Sequence, residues 1–501
     1  MKKNNVNIIK TFIFLSILAL QVGVFIALKL VFTLSYKISF LGSFIISLIT
    51  CIYCLSSSKN SHSKAVWIIF LLLFFPFAYI FYLLSDERIL FFRSRKRYKA
   101  IFENSVKYNN LQKSKSQNKV VQNDCNFLYK AGDFSSYTNT KLQYFSSGES
   151  YFQDVISRLK QAKSFIFLEF FIVSDGKLLD EILSILKEKV REGVKVRIIY
   201  DDFGSRKSLS KRTKIKIQNT GIEICPFNKM SIIFSFMLNY RDHRKIIIID
   251  GKTAYTGGCN LADEYINQKQ LYGYWKDAGV RLDGSAVDTF TLMFLRQWEF
   301  INKKAEDYTI FLGKFDDYIN QYCVVPYADG PDYTLPICKG VYENMIASAT
   351  SSIYIMTPYF IIDDAIANLL IRKAVSGVEV VIILPENPDK PFVYGVTRSN
   401  AERLIDYGVK VYCMKDSFVH AKLLLVDDSV AIGSVNMDLR SFYQQFECAV
   451  YTDDKNVMND ALTDFNLTIE KSRLITEKNK FRNSFIYRAF VGFMQIFAPF
   501  M

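Results

Sequence analysis

Three apolar stretches open the chain, Thr11 to Leu28, Ile38 to Leu55 and Ala65 to Leu84, and none contains an acid or a base. A helix needs about 17 to 25 mostly apolar residues to cross the hydrocarbon of a bilayer, so these stretches read as transmembrane helices. A cleaved signal peptide does not account for them, because the first lacks a small-residue cleavage site and two more follow it. Pro76 in the third is compatible with a membrane helix, where neighbouring segments satisfy the freed carbonyl. Arg88, Arg93, Arg95, Lys96, Arg97 and Lys99 come next, opposed nearby only by Asp86 and Glu87. By the positive-inside rule this end faces the cytoplasm. Lys2, Lys3 and Lys10 draw the amino terminus to the same side, so the count stays open between three spans and two spans with an interfacial segment.

The pattern then changes twice. Residues 101–140 are rich in Lys, Asn, Gln and Ser and read as a polar linker. From about residue 141, short β-branched and aromatic runs alternate with amphipathic helical stretches. The run Phe165 to Val173, the helical stretch Leu178 to Arg191, Gly193 and the run Val194 to Tyr200 form one series. The same order returns in Ile353 to Ile362, Ala365 to Val375, Gly377 and Val378 to Leu384. A smaller match follows in each, at Gly221 to Ile224 and Gly408 to Val411. Strand, helix, glycine and strand in this order imply mixed sheets covered by helices, an α/β class. The organisation is therefore a membrane anchor over 1–100, a linker over 101–140, α/β domains over 141–330 and 331–480, and an apolar tail over 481–501.

Composition fits this division. Half of the 501 residues are apolar, which excludes a disordered chain, and a net charge of +14 points to a polyanionic partner, either nucleic acid or anionic lipid. The nine cysteines are scattered, and only Cys51 and Cys54 stand at C-x-x-C spacing, inside an apolar run. They read as buried thiols of a protein whose catalytic region faces a reducing compartment.

The duplication extends to chemistry. Of three histidines, two open the same pattern, His243-x-Lys245-x4-Asp250 and His420-x-Lys422-x4-Asp427, each on an apolar strand. Each is followed by a glycine turn and an asparagine: Gly257, Gly258 and Asn260 in the first copy, Gly433, Ser434 and Asn436 in the second. Each continues to an acid that leads into a further apolar run, Asp277 and Glu447. The remaining histidine, His62, stands in a polar loop and carries no such pattern.

Two His, two Lys and two Asn in one cleft suit a phosphodiester. Ammonium and amide donors match its non-bridging oxygens and stabilise charge on five-coordinate phosphorus. One neutral imidazole can attack phosphorus while the other, protonated, supplies the leaving alkoxide. Asp277 or Glu447 can orient the far ring nitrogen. Asp250 and Asp427 divide between a structural hydrogen-bonding role and direct chemistry. A zinc site is a poor reading, since each motif carries a cationic Lys and no Cys/His cluster accompanies it.

At these residues the chain resembles the phospholipase D superfamily and, within it, the bacterial cardiolipin synthases. The resemblance rests on the doubled H-x-K-x4-D and on Tyr240 to Lys245, Gly257 to Tyr265, Thr357 to Phe360, Pro388 to Lys390, Thr397 to Ser399 and Asn436 to Ser441. It implies two pseudo-two-fold related α/β/α sandwich domains behind transmembrane helices. It further implies a multi-pass protein of the cell membrane with its catalytic domains on the cytoplasmic side. The implied reaction condenses two phosphatidylglycerols into cardiolipin and glycerol through a phosphatidyl-histidine, with no metal or cofactor and with an anionic membrane, not nucleic acid, as partner.

By the same resemblance His243 is the nucleophile and His420 the general acid and base, roles that exchange without altering the scheme. Lys245, Lys422, Asn260 and Asn436 hold the phosphate. The alternative is a membrane-bound phosphodiesterase of the same fold that hydrolyses phospholipid. One departure stands out: six residues separate Asp250 from Gly257 but five separate Asp427 from Gly433. Side chains alternate along a strand, so the deletion must be absorbed in the hairpin turn or it would invert Ser434 and Asn436. Two apolar segments, 231–238 and the tail from Phe485, suit a lipid interface or a core.

Overall fold

A computed structural model describes residues 33–57, 61–75, 78–79, 82, 92–109, 111–114, 116–229, 240–313, 315, 322–476, 485–495 and 497–498. The chain divides into two compact units, residues 1–92 and 93–501. In the first, helix Thr33–Leu55 lies beside helix Ser61–Leu73. Phe40 and Phe44 meet Phe75 edge-on at 4.8 and 5.4 Å, and the Ser47 hydroxyl donates to the Leu71 carbonyl at 3.0 Å. Ile38, Leu41, Ile49 and Ile52 are left exposed. Among the described residues no helix is long and apolar enough to cross a membrane. The expected span Thr11 to Leu28 and most of the third beyond Phe75 lie outside the described residues, as does the apolar segment 231–238.

The second unit holds both α/β halves. Its polar entry segment is more ordered than its composition suggests. Helix Lys119–Gly132 is capped by Asn118, whose side chain accepts from the Val120 amide at 2.9 Å, and it buries Val121, Cys125 and Leu128 on one face. Those three apolar residues at helical spacing are enough to dock an otherwise polar segment.

The first half contributes strands β1 (Thr140–Phe145), β2 (Phe165–Phe170), β3 (Lys195–Asp201), β4 (Glu223–Phe227), β5 (Lys245–Ile249), β6 (Thr253–Gly257), β7 (Tyr274–Lys276) and β8 (Gly279–Gly284). Seven of them form a sheet of order β1-β8-β6-β5-β2-β3-β4, parallel only among β2, β3 and β4. The second half contributes β9 (Val324–Asp329), β10 (Ser352–Met356), β11 (Phe360–Ile361), β12 (Glu379–Pro385), β13 (Lys410–Met414), β14 (Ser417–Val419), β15 (Leu423–Val426), β16 (Ser429–Gly433), β17 (Met437–Asp438), β18 (Glu447–Thr452) and β19 (Ser472–Leu474). Its large sheet runs β19-β13-β12-β10-β15-β16-β18-β9. Strand for strand it repeats the first sheet, with β19 added at one edge. β9 pairs with β18, so residues 324–329 belong to the second half and the boundary lies before them, not at 330.

The repeated βαβ units follow from sequence. Helices Lys177–Arg191 and Asp364–Val375 present apolar faces to β3 and β12. Each is ended by a glycine with positive φ, Gly193 at 89° and Gly377 at 92°, a backbone region open to glycine and costly for other residues.

Candidate active site

The two motifs occupy matching places, at the carboxyl ends of the parallel strands. Lys245 begins β5 and pairs with Phe170, the last residue of β2. The chain before it carries His243 past the end of the sheet, where its ring meets Phe171 edge-on at 5.0 Å. In the second half Lys422 directly precedes β15, and His420 precedes it by two residues. The hairpins that follow differ where the deletion requires. β5 and β6 are joined by Asp250, Gly251 and Lys252, because Ile249 pairs with Thr253. β15 and β16 are joined by Asp427 and Asp428 alone, because Val426 pairs with Ser429. The turn thus absorbs the missing residue, and Ser434 and Asn436 keep the orientation of Gly258 and Asn260.

The two halves complete each other's sites. β7, of the first half, pairs in parallel with β14, of the second, and the His420 amide continues this ladder by donating to the Lys276 carbonyl at 2.7 Å. Across the pseudo-symmetric contact, the His243 amide donates to the Phe446 carbonyl at 2.9 Å. Each histidine is thereby set beside the acid that follows its partner strand. His420 Nδ1 lies 2.7 Å from Asp277 Oδ2, and His243 Nδ1 lies 2.9 Å from Glu447 Oε1. Every imidazole is therefore oriented by a carboxylate from the opposite half. Nδ1 is engaged in both, which leaves Nε2 of each for a substrate.

Burial and charge set the protonation states. Both imidazoles are buried, and burial together with the charges of Lys245 and Lys422 holds His243 well below its ordinary value and His420 down to about 3. Both are neutral at pH 7. The lysines are depressed by burial as well, Lys245 to about 8 and Lys422 to about 7, although Glu447 and Asp277 partly oppose the shift. Each ammonium donates to the carbonyl of its own motif histidine, Lys245 to His243 and Lys422 to His420. The acids differ. Burial lifts Glu447 to about 7, whereas His420 and Lys422 hold Asp277 below the usual carboxylate range against the effect of burial.

A pH dependence follows. Raising pH from about 7 to 9 strips Lys422 and then Lys245 of charge, so kcat/KM of the free enzyme on a phosphodiester is expected to fall over that interval. The stability contribution has the opposite sign. Between about 7 and 10.5 the unfolded chain binds a proton at Lys422 that the folded chain lacks, so this group makes stability rise with pH. Initial-rate profiles and denaturation midpoints across the interval check both; parallel movement of the two would contradict the assignment.

The supporting residues separate into kinds. Gly258 has no room for a side chain, since a Cβ there would stand 1.9 Å from Asp277 Oδ1. Ser434, its counterpart, donates its hydroxyl to Glu447 and accepts from the Cys448 amide at 3.0 Å, so it steadies the acid rather than a phosphate. Asn260 accepts from the Ile172 amide at 3.0 Å and donates to the Tyr265 hydroxyl at 2.5 Å, which commits most of its capacity to the protein. Asn436 is also buried, and its Oδ1 has no partner.

Asp250 and Asp427, counted above among possible catalytic groups, lie at the opposite ends of their strands. Asp250 accepts from the amides of Lys163, Ser164 and Phe165 at 2.7 to 3.0 Å. Asp427 accepts from Thr350, Ser351 and Ser352 at 2.6 to 2.9 Å. At about 3.3 Å per residue, seven residues separate each from its histidine by roughly 20 Å, which removes both from the chemistry. They fix the start of β2 and β10 instead.

Residues that the motif pattern did not single out also shape the site. Trp275 and Tyr265 each place a ring 5.3 Å from His420, and Arg440 lies within electrostatic reach of His243 with its Nε buried and without a partner. Their only signal in sequence is nearness to the motifs, Tyr265 and Arg440 five and four residues beyond the asparagines and Trp275 two before Asp277. Among the described residues no group of three or more His, Cys, Asp or Glu is placed to hold a metal ion.

The geometry agrees with comparisons to known proteins. A family model described as "Cardiolipin synthase, PLD-like domain" matches residues 155–271 and 342–468. The chain is 34% identical over 434 residues to "Cardiolipin synthase 2" of Bacillus cereus, covering 84% of this chain and 83% of that protein. It is 31% identical over 482 residues to "Cardiolipin synthase" of Staphylococcus aureus, covering 92% and 96%. Among solved structures, phosphatidylserine synthase of Haemophilus influenzae superposes with a TM-score of 0.59 over 75% of this chain and 99% of that one; at 14% identity this speaks to the fold.

Proposed function

From the fact that the chain belongs to the cardiolipin synthase, phospholipase D-like family, we propose that it transfers a phosphatidyl group from one phosphatidylglycerol to another, releasing glycerol and forming cardiolipin. The observation that carries this reading is the exchange of acids between halves, which gathers both imidazoles and both lysines at one composite site. Lys245 and Lys422 would take the non-bridging oxygens in place of a cation. The phosphodiester's own charge offsets the lysines and raises the proton affinity of the imidazoles, so one of them can be protonated in the complex.

In the proposed sequence His243 Nε2 attacks phosphorus while His420 Nε2–H gives its proton to the departing glycerol oxygen. The P–O bond breaks as the P–N bond forms. A hydroxyl of the second phosphatidylglycerol then passes its proton to His420 and attacks phosphorus, releasing His243. Glu447 and Asp277 hold the ring tautomers throughout. The protein works at the cell membrane in this reading, anchored by its amino-terminal apolar stretches with the α/β halves on the cytoplasmic side; the exposed apolar side chains of helix Thr33–Leu55 and the basic run from Arg88 support it.

Product analysis from labelled phosphatidylglycerol tests the reaction. Cardiolipin and glycerol in equal amounts, undiminished by a chelator, are expected. Phosphatidic acid as the sole lipid product would establish hydrolysis instead, and activity lost on chelation and restored by a divalent metal would overturn the metal-free scheme.

A further inference from the structure

The helix Phe485–Gln495 is apolar on two faces, and only one is covered. Its inner face sends Val491 and Met494, with Ala498 beyond its end, against Ile361, Val393, Val396 and Leu439, and Gln495 donates to Asn400 at 3.1 Å. On the outer face Phe485 is 75% exposed and Phe493 56%, at positions that coincide around a helix, and Phe497 continues the row, its ring 5.5 Å from Phe493. Phe392, at the start of the helix Pro391–Ile405 on which this segment packs, is 61% exposed. Four exposed phenylalanines around one packed pair of helices form an apolar surface of the kind that marks an interaction site.

The surroundings indicate the occupant. Tyr359 packs partly into the same cluster, and its hydroxyl donates to Asp389 at 2.5 Å. Lys390, whose Nζ lies 4.8 Å from the centre of the Tyr359 ring, is 57% exposed, and its charge reaches His243. The phenylalanine face is thus continuous with the rim of the active site, and the rim presents a cation on a chain of net charge +14. Apolar side chains beside a basic group suit the boundary between headgroups and acyl chains of an anionic bilayer.

We propose that Phe392, Phe485, Phe493 and Phe497 insert into the surface of an anionic bilayer and bring the rim at Tyr359 and Lys390 to the headgroups, so that a lipid enters the site without leaving the membrane. This rests on the reading of the substrate as a lipid.

The full chain, reconstituted in phosphatidylglycerol vesicles with brominated acyl chains, tests it. A Phe493→Trp variant is expected to show at least ~2-fold quenching of the added fluorescence, and an Ile215→Trp variant in the first half none. Replacing Phe392, Phe485 and Phe493 together by Ser is expected to raise KM for vesicle phosphatidylglycerol ~10-fold and leave turnover of a dispersed short-chain phosphatidylglycerol unchanged. Equal quenching at 493 and 215, or equal loss on both substrates, would overturn the proposal. Should the parent chain make no cardiolipin while Trp at 493 is still quenched, the docking surface stands and the reading of the reaction falls.

Discussion

Replacing His243 or His420 by Ala is expected to lower the rate of glycerol release from phosphatidylglycerol by ~10³-fold or more in each case. The two losses should not add, because attack on phosphorus and protonation of the leaving oxygen belong to one event; a double variant should be no more than ~10-fold slower than either single one. Non-additivity separates this account from one in which the halves are independent sites. Two independent sites would leave each single variant with about half of the parent rate. The measurement is an initial rate with purified variants in vesicles, with circular dichroism as a check that folding is retained.

The second large effect crosses the halves. Asp277 belongs to the first half in sequence yet engages His420, the histidine of the second. Asp277→Asn keeps the size of the side chain but removes the acceptor that fixes the proton on Nδ1. By analogy with acid–imidazole pairs elsewhere, turnover is expected to fall by ~10² to 10⁴-fold. Gly258→Ala should act on the same carboxylate from its other side, since the added Cβ would occupy the position of Asp277 Oδ1, with a loss of ~10²-fold. If the exchange of acids is real, Asp277→Asn combined with His420→Ala will be no slower than His420→Ala alone. Near-parent activity of Asp277→Asn would remove the orienting role from that residue.

Much of this site was legible in the sequence because its chemistry is duplicated. One His-x-Lys on an apolar strand says little; a second with the same acid, glycine and asparagine downstream turns a residue pattern into a spatial expectation. The one-residue deletion was also decidable in advance, since a strand tolerates it only at its end, and the two-residue turn at Asp427 and Asp428 bears this out. What one-dimensional reading lacked was partnership across the halves. Nothing near His243 names Glu447 as its partner, because that choice is made by the packing of β7 on β14 and of the chain before His243 on Phe446.

The motif aspartates were misplaced for a related reason. Spacing along a strand was visible, but the direction in which seven residues carry a side chain away from the site gains meaning only once the strand is set in its sheet. The same holds for β9, whose membership in the second sheet is fixed by pairing with β18 and not by its place in the chain. The helix Lys119–Gly132 was hidden by composition: three buried apolar residues dock it, too few to stand out in a polar segment.

The central claim is that imidazoles from both halves serve a single phosphodiester. Counting the phosphatidyl groups bound per chain tests it most directly, by rapid quenching at neutral or alkaline pH followed by mass spectrometry of the peptides that contain His243 and His420. The account predicts no more than one adduct per chain, located on His243, at a higher level in His420→Ala if release of that adduct slows more than its formation. Two adducts on one chain, one on each histidine, would contradict it.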